Sequence, residues 1–588
     1  MRRTGRVIFV LFLLLSCMMG LWMFQAWKES KQERKKETYH NVYIIDASGT
    51  AITIVHNEPM NLESTTPVSG GSVQGIVADL YLQDGRIVKI VRKPEYVTGT
   101  IQKLNTDKIT LDESGEVELA REFTLYHISR EGTVTRGHMT DLAVGQPDVR
   151  FVAAGNQICA AIVPEKRIDN IRVLLNNNEF SSYDQGKTVL TATTDFSVRE
   201  KGSTTSYKKG QKVTFEPEKV SGEIIVDTGN KGKIRIESLH RQCGIPEYRG
   251  TLHITKNGNS LHLVNELSLE EYLYSVVPSE MPTEYSMEAL KAQAVCARTY
   301  ASGQIKGNRL AEYGAHVDDS VSFQVYNNQK EDSRSVKAVN ATKNQVVAYE
   351  GKLAATYFYS ASCGSRAGTK DVWFTKRDVD YLPSCNEAGD QDLSKESEFR
   401  SFIQSKSESY DSESPWYRWS ALVSPECLRE SIEKKLTERF EANSTQIQVK
   451  QKDGTYRSER ITSVGEIESV AVKTRGRGGV VSLLEIVGSE RTIRVYTEYN
   501  IRTLLGSGKV QYKKNDGEKI SGLSLLPSGF FCVEKKGEKF LFTGGGYGHG
   551  VGMSQNGANT MAESGKNCQD ILSFYFPGTK VEDREVVG

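Results

Sequence analysis

Apolar and polar residues alternate at short range along most of this chain, as in strands, but one stretch changes period. Between Ser268 and Ser302 the apolar positions move to helical spacing: Leu269, Leu273 and Val276, then Met287, Leu290, Ala294, Ala297 and Ala301. Ser268 and Glu271 have the S-x-x-E spacing of a capping box, which predicts a helix start. Pro278 and Pro282 lack an N–H and restrict the residue before them, which predicts that this first helix stops there. Ser286 is placed to cap a second helix. Its buried stripe is narrow and mostly alanine, suited to close packing, and Lys291 and Arg298 share another face seven residues apart. Glu280 falls in the elbow between the two helices.

Alternation dominates elsewhere. Residues 38–165 read as a separate β-rich accessory domain, a small barrel or sandwich. Its clearest signal is a hairpin, with Leu80–Leu82 and Ile87–Ile90 flanking Asp84-Gly85. Val97–Ile101, Lys108–Leu111 and Val117–Leu119 are further short strands. With no cluster of catalytic residue types, this region reads as a spacer or partner-binding module. A second body starts near residue 166, with a strand at Ile171–Leu174. A hairpin follows around Asn257-Gly258, returning through Leu261 and Leu263 into the helix at Ser268. Residues 386–414, rich in Ser, Glu, Asp and Lys, read as an exposed polar insertion. Leu428–Phe440 predicts a helix, and residues 461–506 predict strands. The fold class is therefore α+β: a strand-rich body whose two-helix segment carries an acid, plus a small N-terminal β domain.

At the N-terminus Arg2, Arg3 and Arg6 precede an uncharged apolar run, Val7–Phe24. Eighteen helical residues at about 1.5 Å each nearly span a hydrocarbon core of about 30 Å, and Trp22 and Trp27 suit an interface. A cleaved signal peptide is the competing reading, but no convincing small-x-small cleavage site follows. Cys17 sits in a faint lipidation context, followed by apolar residues where a tether would be polar. Residues 1–37 thus read as a cytoplasmic tip, a membrane anchor and a charged linker.

Composition narrows the picture. At 588 residues, two to four domains are expected. A net charge of +1 and no long basic run in the body argue against a nucleic-acid partner. Nine cysteines without a C-x-x-C pair form neither a disulfide scaffold nor a zinc-finger pattern. They read as free thiols, with Cys363 and Cys385 the first pair to test for a bridge.

Two motifs carry a resemblance. EYLYSVVPSEMP (271–282) with EALKAQAVCARTYA (288–301), and then GGGYGHGVGMSQNGA (544–558), closely resemble the signatures of the sporulation stage II D / LytB family. The similarity extends over roughly residues 170–580. It implies an extracytoplasmic protein acting on bacterial peptidoglycan, as a lytic transglycosylase that cleaves MurNAc–GlcNAc bonds without water. Such chemistry needs one carboxyl group, whereas ordinary glycosidases need two. The resemblance puts that role on Glu280, whose shielding by Pro278, Met281 and Pro282 would raise its pKa. A purely structural role, capping the second helix or pairing with Arg298, is the competing reading.

Lys291 and Arg298 are implied to orient the acid or hold glycan, and Gln324 and Tyr326 to supply hydrogen bonds and a stacking ring. The glycines of the second signature would let backbone approach a ligand, with Tyr547, His549, Ser554 and Gln555 as its polar contents. Each of these could instead be a satisfied structural residue. Implied partners are peptide-stripped glycan strands and a cell-wall amidase; implied localisation is the cell membrane, single-pass. A non-catalytic, glycan-binding enhancer of that amidase is the alternative function. Some members are expected to bind zinc through His and Cys just before the Gln-Val-Tyr segment. This chain has only His316 there, so neither metal nor cofactor is expected. Asn556 and Phe574 also depart from the family pattern.

Overall fold

A computed structural model describes residues 35–587, apart from 113, 388, 390 and 406. The expected anchor, Val7–Phe24, and Cys17 lie outside the described residues. Among those described, no helix is long and apolar enough to cross a membrane. The chain divides into two compact units between Ile168 and Asp169, three residues beyond the boundary read from sequence.

The first unit is built of strands. Lys36–Val55, Pro59–Val68, Arg86–Lys93 and Val77–Gln83 close a four-stranded barrel in that order, and a seven-stranded sheet follows. Alternate residues Val42, Ile44, Ile52, Ile54, Leu80 and Leu82 fill one core. Asp84 and Gly85 both take positive φ, 51° and 78°, the pair of left-handed residues that a two-residue hairpin turn demands. The first strand begins at Lys36, so the linker expected through residue 37 ends slightly earlier.

The second unit is α+β. A seven-stranded sheet places the hairpin strands Thr251–Asn257 and Ser260–Ser268 at its centre, beside Asn170–Leu174 and the edge strand Val317–Asp318. The hairpin closes on an Asn257–Ser260 pair, so its turn residues are Gly258 and Asn259, one position beyond the sequence reading. Ser268 ends the strand and caps helix α1 (Leu269–Glu280), accepting from the Glu271 N–H at 3.3 Å. The box is half-formed, because the Glu271 carboxylate takes the Ser268 hydroxyl rather than its N–H.

Helix α1 does not stop at Pro278; it runs on to Glu280. A proline there removes only the bond its N–H would make to the Tyr274 carbonyl, and the final turn holds through Met281 N–H to Val277 O at 3.0 Å. Helix α2 (Met287–Gly307) has Ser286 at its N-cap without a side-chain cap bond. It is buried nearly all round, from Ala289 to Ile305, rather than along one stripe. Such a helix is a core element.

Two five-stranded sheets of the same unit pack around Leu428, Ile432, Leu484, Ile493 and Phe542, alongside smaller sheets of two to four strands. The expected polar insertion is a correction. Residues 396–404 form helix α3 (Glu396–Gln404), which buries Phe399, Phe402 and Ile403, and Leu393 and Asp411 are buried beside it in sequence. Helix α4 (Pro425–Ala442) encloses the predicted Leu428–Phe440. The described cysteines are free, Cys363 and Cys385 included.

Candidate functional site

Glu280 is the last residue of α1, partly exposed, where the helix dipole disfavours negative charge. Oε1 accepts the Val325 N–H at 2.6 Å. Among the described residues Oε2 has no hydrogen-bond partner. Desolvation raises the carboxyl to about 7, against the opposing pull of the Val325 N–H. No cation or second carboxylate contributes to that shift.

The loop that delivers Val325 is pinned by its neighbours. Ser279 Oγ bonds Ser275 O at 2.6 Å and accepts the N–H groups of Asn328 and Gln329, each at 3.1 Å. Gln324 is fully buried, accepting from the Tyr272 hydroxyl at 3.3 Å. Tyr326 is equally buried and donates to Asn265 Oδ1 at 2.7 Å. Both flank the residue that holds the acid, but in the core. Neither reaches solvent, although both are expected to touch substrate.

The cations are also engaged. Arg298 is fully buried, with Nε and Nη2 on the two Glu270 oxygens at 2.8 and 2.7 Å and Nη1 on Gln345 O at 3.1 Å. It does not pair with Glu280. Lys291 bonds Glu288 at 2.7 Å. Glu288 in turn accepts the Cys568 N–H at 2.9 Å, at the start of another helix, Cys568–Tyr575. His316 is buried, its Nδ1 accepting the Arg172 N–H at 3.0 Å.

The second signature follows the strand Lys539–Gly544 and leads into helix α5 (Gln555–Glu563). It packs against the elbow carrying the acid. Tyr285 donates to Asn556 Oδ1 at 3.0 Å, the Ser286 N–H to Asn559 Oδ1 at 2.8 Å, and Gln555 reaches Gln293 at 3.4 Å. Gln555 and Ser554 are buried; Ser554 caps α5 and donates to Asp411 at 2.7 Å. Its glycines serve the chain's own packing. A Cβ on Gly552, at φ +81°, would fall 2.1 Å from Tyr357 O, and one on Gly548 would fall 2.8 Å from Tyr359 Cβ.

Tyr547, partly exposed, rests on Trp416 with ring centres 4.8 Å apart. His549 accepts the Val551 N–H on Nδ1 at 3.1 Å, which leaves its proton on Nε2. Burial and Arg502 lower its pKa to about 4, so it stays neutral near pH 7. Phe574, one of the departures, lies under the Arg366 guanidinium at 4.9 Å.

Sequence reasoning did not single out Tyr300, Tyr357 or Trp373. Tyr300 lies in α2 close enough for the Glu280 charge to bear on its hydroxyl, which burial raises to about 12. Its ring meets Tyr357 at 6.5 Å; Tyr357 meets Trp373 at 4.5 Å, and Trp373 meets His549 at 5.3 Å. Tyr300 falls inside the first signature, whereas Tyr357 and Trp373 lie outside both.

Comparisons with known proteins match residues 257–349 to the family model described as stage II sporulation protein. Residues 367–552 match a domain of unknown function. The chain is 30% identical over 319 residues to an amidase enhancer of Bacillus subtilis, covering 52% of this chain but only 40% of that protein. It is 30% identical over 343 residues to an uncharacterized protein of Brachyspira hyodysenteriae, covering 57% and 73%. With stage II sporulation protein D of Bacillus amyloliquefaciens it shares 26% over 393 residues, covering 64% and 89%.

Proposed function

The chain belongs to the stage II sporulation protein family, and from that premise we propose that it remodels bacterial cell wall as a lytic transglycosylase with Glu280 as its single acid and base. The observation carrying this reading is the state of Glu280. Among the described residues one oxygen is held by Val325 and the other is unpartnered, and desolvation, with no charge contributing, raises the carboxyl to about 7. A group with its pKa near the working pH suits proton transfer in both directions.

In this scheme protonated Glu280 gives its proton to the glycosidic oxygen as the C1–O bond breaks. The 6-hydroxyl of the same MurNAc then closes onto C1 and returns its proton to Glu280, so the cycle balances without water. A hydrolytic route would need a second carboxylate within about 5–9.5 Å. Asp318, an acid that also bears on Tyr300, is already occupied by Tyr183 and Ser320. The substrate would be strands freed of stem peptides by an amidase. Val7–Phe24 would tether the second unit outside the cytoplasm.

The amidase enhancer among the relatives favours a second reading, in which the chain binds glycan and assists an amidase without cleaving. Mass spectrometry of peptide-free glycan strands incubated with wild type and Glu280→Gln separates the two. Anhydro-sugar ends made by wild type and absent from the variant support the lytic reading. Reducing ends point to hydrolysis. Binding without any product points to the enhancer.

A further inference from the structure

We infer that Tyr300, Tyr357 and Trp373 form a sugar-stacking shelf leading away from Glu280, a subsite for glycan rings; this rests on the glycan reading above. The three rings form a continuous series, with centre-to-centre steps of 6.5 and 4.5 Å. Its inner ring, Tyr300, lies within electrostatic reach of Glu280. The series ends at solvent, because Trp373 stays 39% exposed although Tyr357 and His549 lean on it.

Three features suit a carbohydrate. Sugars present flat C–H faces ringed by hydroxyls, so they match aromatic faces interspersed with a few hydrogen-bonding groups. The hydroxyls of Tyr300 and Tyr357 make no hydrogen bond among the described residues and are not sealed from solvent, which leaves them open to a ligand. Glu280 Oε2 is unpartnered in the same way. His549 behind the shelf is neutral, and the Arg309 cation bears on the Tyr300 hydroxyl. Peptide-free glycan, whose MurNAc residues keep a free lactyl carboxylate, fits aromatic faces with a cation nearby.

The support of the indole points the same way. Trp373 ends the short helix Thr369–Trp373, and the next residue, Phe374, takes φ +54°. A bulky side chain seldom adopts that region, and such backbone outliers gather where a side chain must be aimed. Phe374 is held there in edge contact with Tyr496, ring centres 6.0 Å apart.

The test uses the full-length chain carrying Glu280→Gln, so that binding is read without turnover, with peptide-free glycan strands as the probe. Adding Trp373→Ala should weaken binding about tenfold, Trp373→Phe less, and Tyr300→Phe or Tyr357→Phe severalfold by loss of a hydroxyl. Each variant should keep its thermal midpoint within a few degrees, since Trp373 is largely peripheral. If the parent binds glycan and the Trp373→Ala dissociation constant stays within twofold, the shelf is overturned while the glycan reading stands. If the parent does not bind and wild type forms no product, the glycan reading falls and takes the shelf with it.

Discussion

Arg298 and Glu270 meet across 28 residues with both carboxylate oxygens engaged, Nε on Oε1 at 2.8 Å and Nη2 on Oε2 at 2.7 Å. The pair fastens the first turn of α1 to the middle of α2. The same guanidinium donates to Val339 O and Gln345 O, so one side chain ties three segments together. Its distance from Glu280 matters as much as its bonds. A cation beside Glu280 would favour the carboxylate and lower its pKa; committing Arg298 to Glu270 leaves desolvation in control.

Removing Arg298 should therefore unfold rather than merely inactivate. Arg298→Met leaves the Glu270 carboxylate without its cation and withdraws the donors to Val339 O and Gln345 O, and breaking a buried pair this way typically costs about 3–5 kcal/mol. Arg298→Lys should not rescue, since an ammonium cannot span both oxygens. Arg298→Met with Glu270→Leu should recover part of the loss. Thermal midpoints of the four proteins check this; a fully stable, inactive Arg298→Met would return Arg298 to the substrate.

The pH profile of cleavage follows from Glu280. The step begins with a protonated carboxyl, so kcat/KM should be level below about pH 7 and fall about tenfold per unit above it. Initial rates of anhydro-end formation at several pH values would show the break. A break near 4.5, the ordinary carboxyl value, would mean that the acid is solvated.

The same group sets a stability trend. Below about 4.5 Glu280 is protonated whether folded or unfolded, and between 4.5 and 7 only the unfolded chain releases its proton. Stability contributed here is thus complete at low pH and lost as pH rises through the folded value. Gln keeps an acceptor for the Val325 N–H and cannot ionise. Glu280→Gln should raise the thermal midpoint more at pH 8 than at pH 4.5, by an amount worth roughly 3 kcal/mol. Equal midpoint changes at both pH values would contradict the raised pKa.

How much of this was legible in the chain depends on the range of the interaction. The helix pair and the Asp84-Gly85 turn rest on local spacing and backbone preference, and both are found. The proline at 278 predicts a stop, but in a last turn it forfeits one bond and the helix continues. Residues 386–414 look polar because Leu393, Phe399, Phe402 and Ile403 are sparse among charges; their burial is set by what packs over them. Arg298 looked available because its partner is distant in sequence. The aromatic shelf joins three rings drawn from residues 300, 357 and 373, an assembly that spacing alone does not reveal.

Tyr326 gives the sharpest contrast between the two ways of reading the chain. Beside Gln324 and Val325 it resembles a stacking ring, yet its hydroxyl lies in the core on Asn265 Oδ1, and Asn265 uses its amide to hold Arg249 O and Thr251 O. Tyr326→Phe keeps the ring and strands a buried acceptor, a loss of about 1–3 kcal/mol. Because the hydroxyl faces away from solvent, glycan affinity measured in the Glu280→Gln background should not change. Destabilisation with unaltered binding would establish Tyr326 as support for the loop that holds Val325 on the acid. A stable variant with weakened binding would instead require the ring to turn outward and meet the sugar.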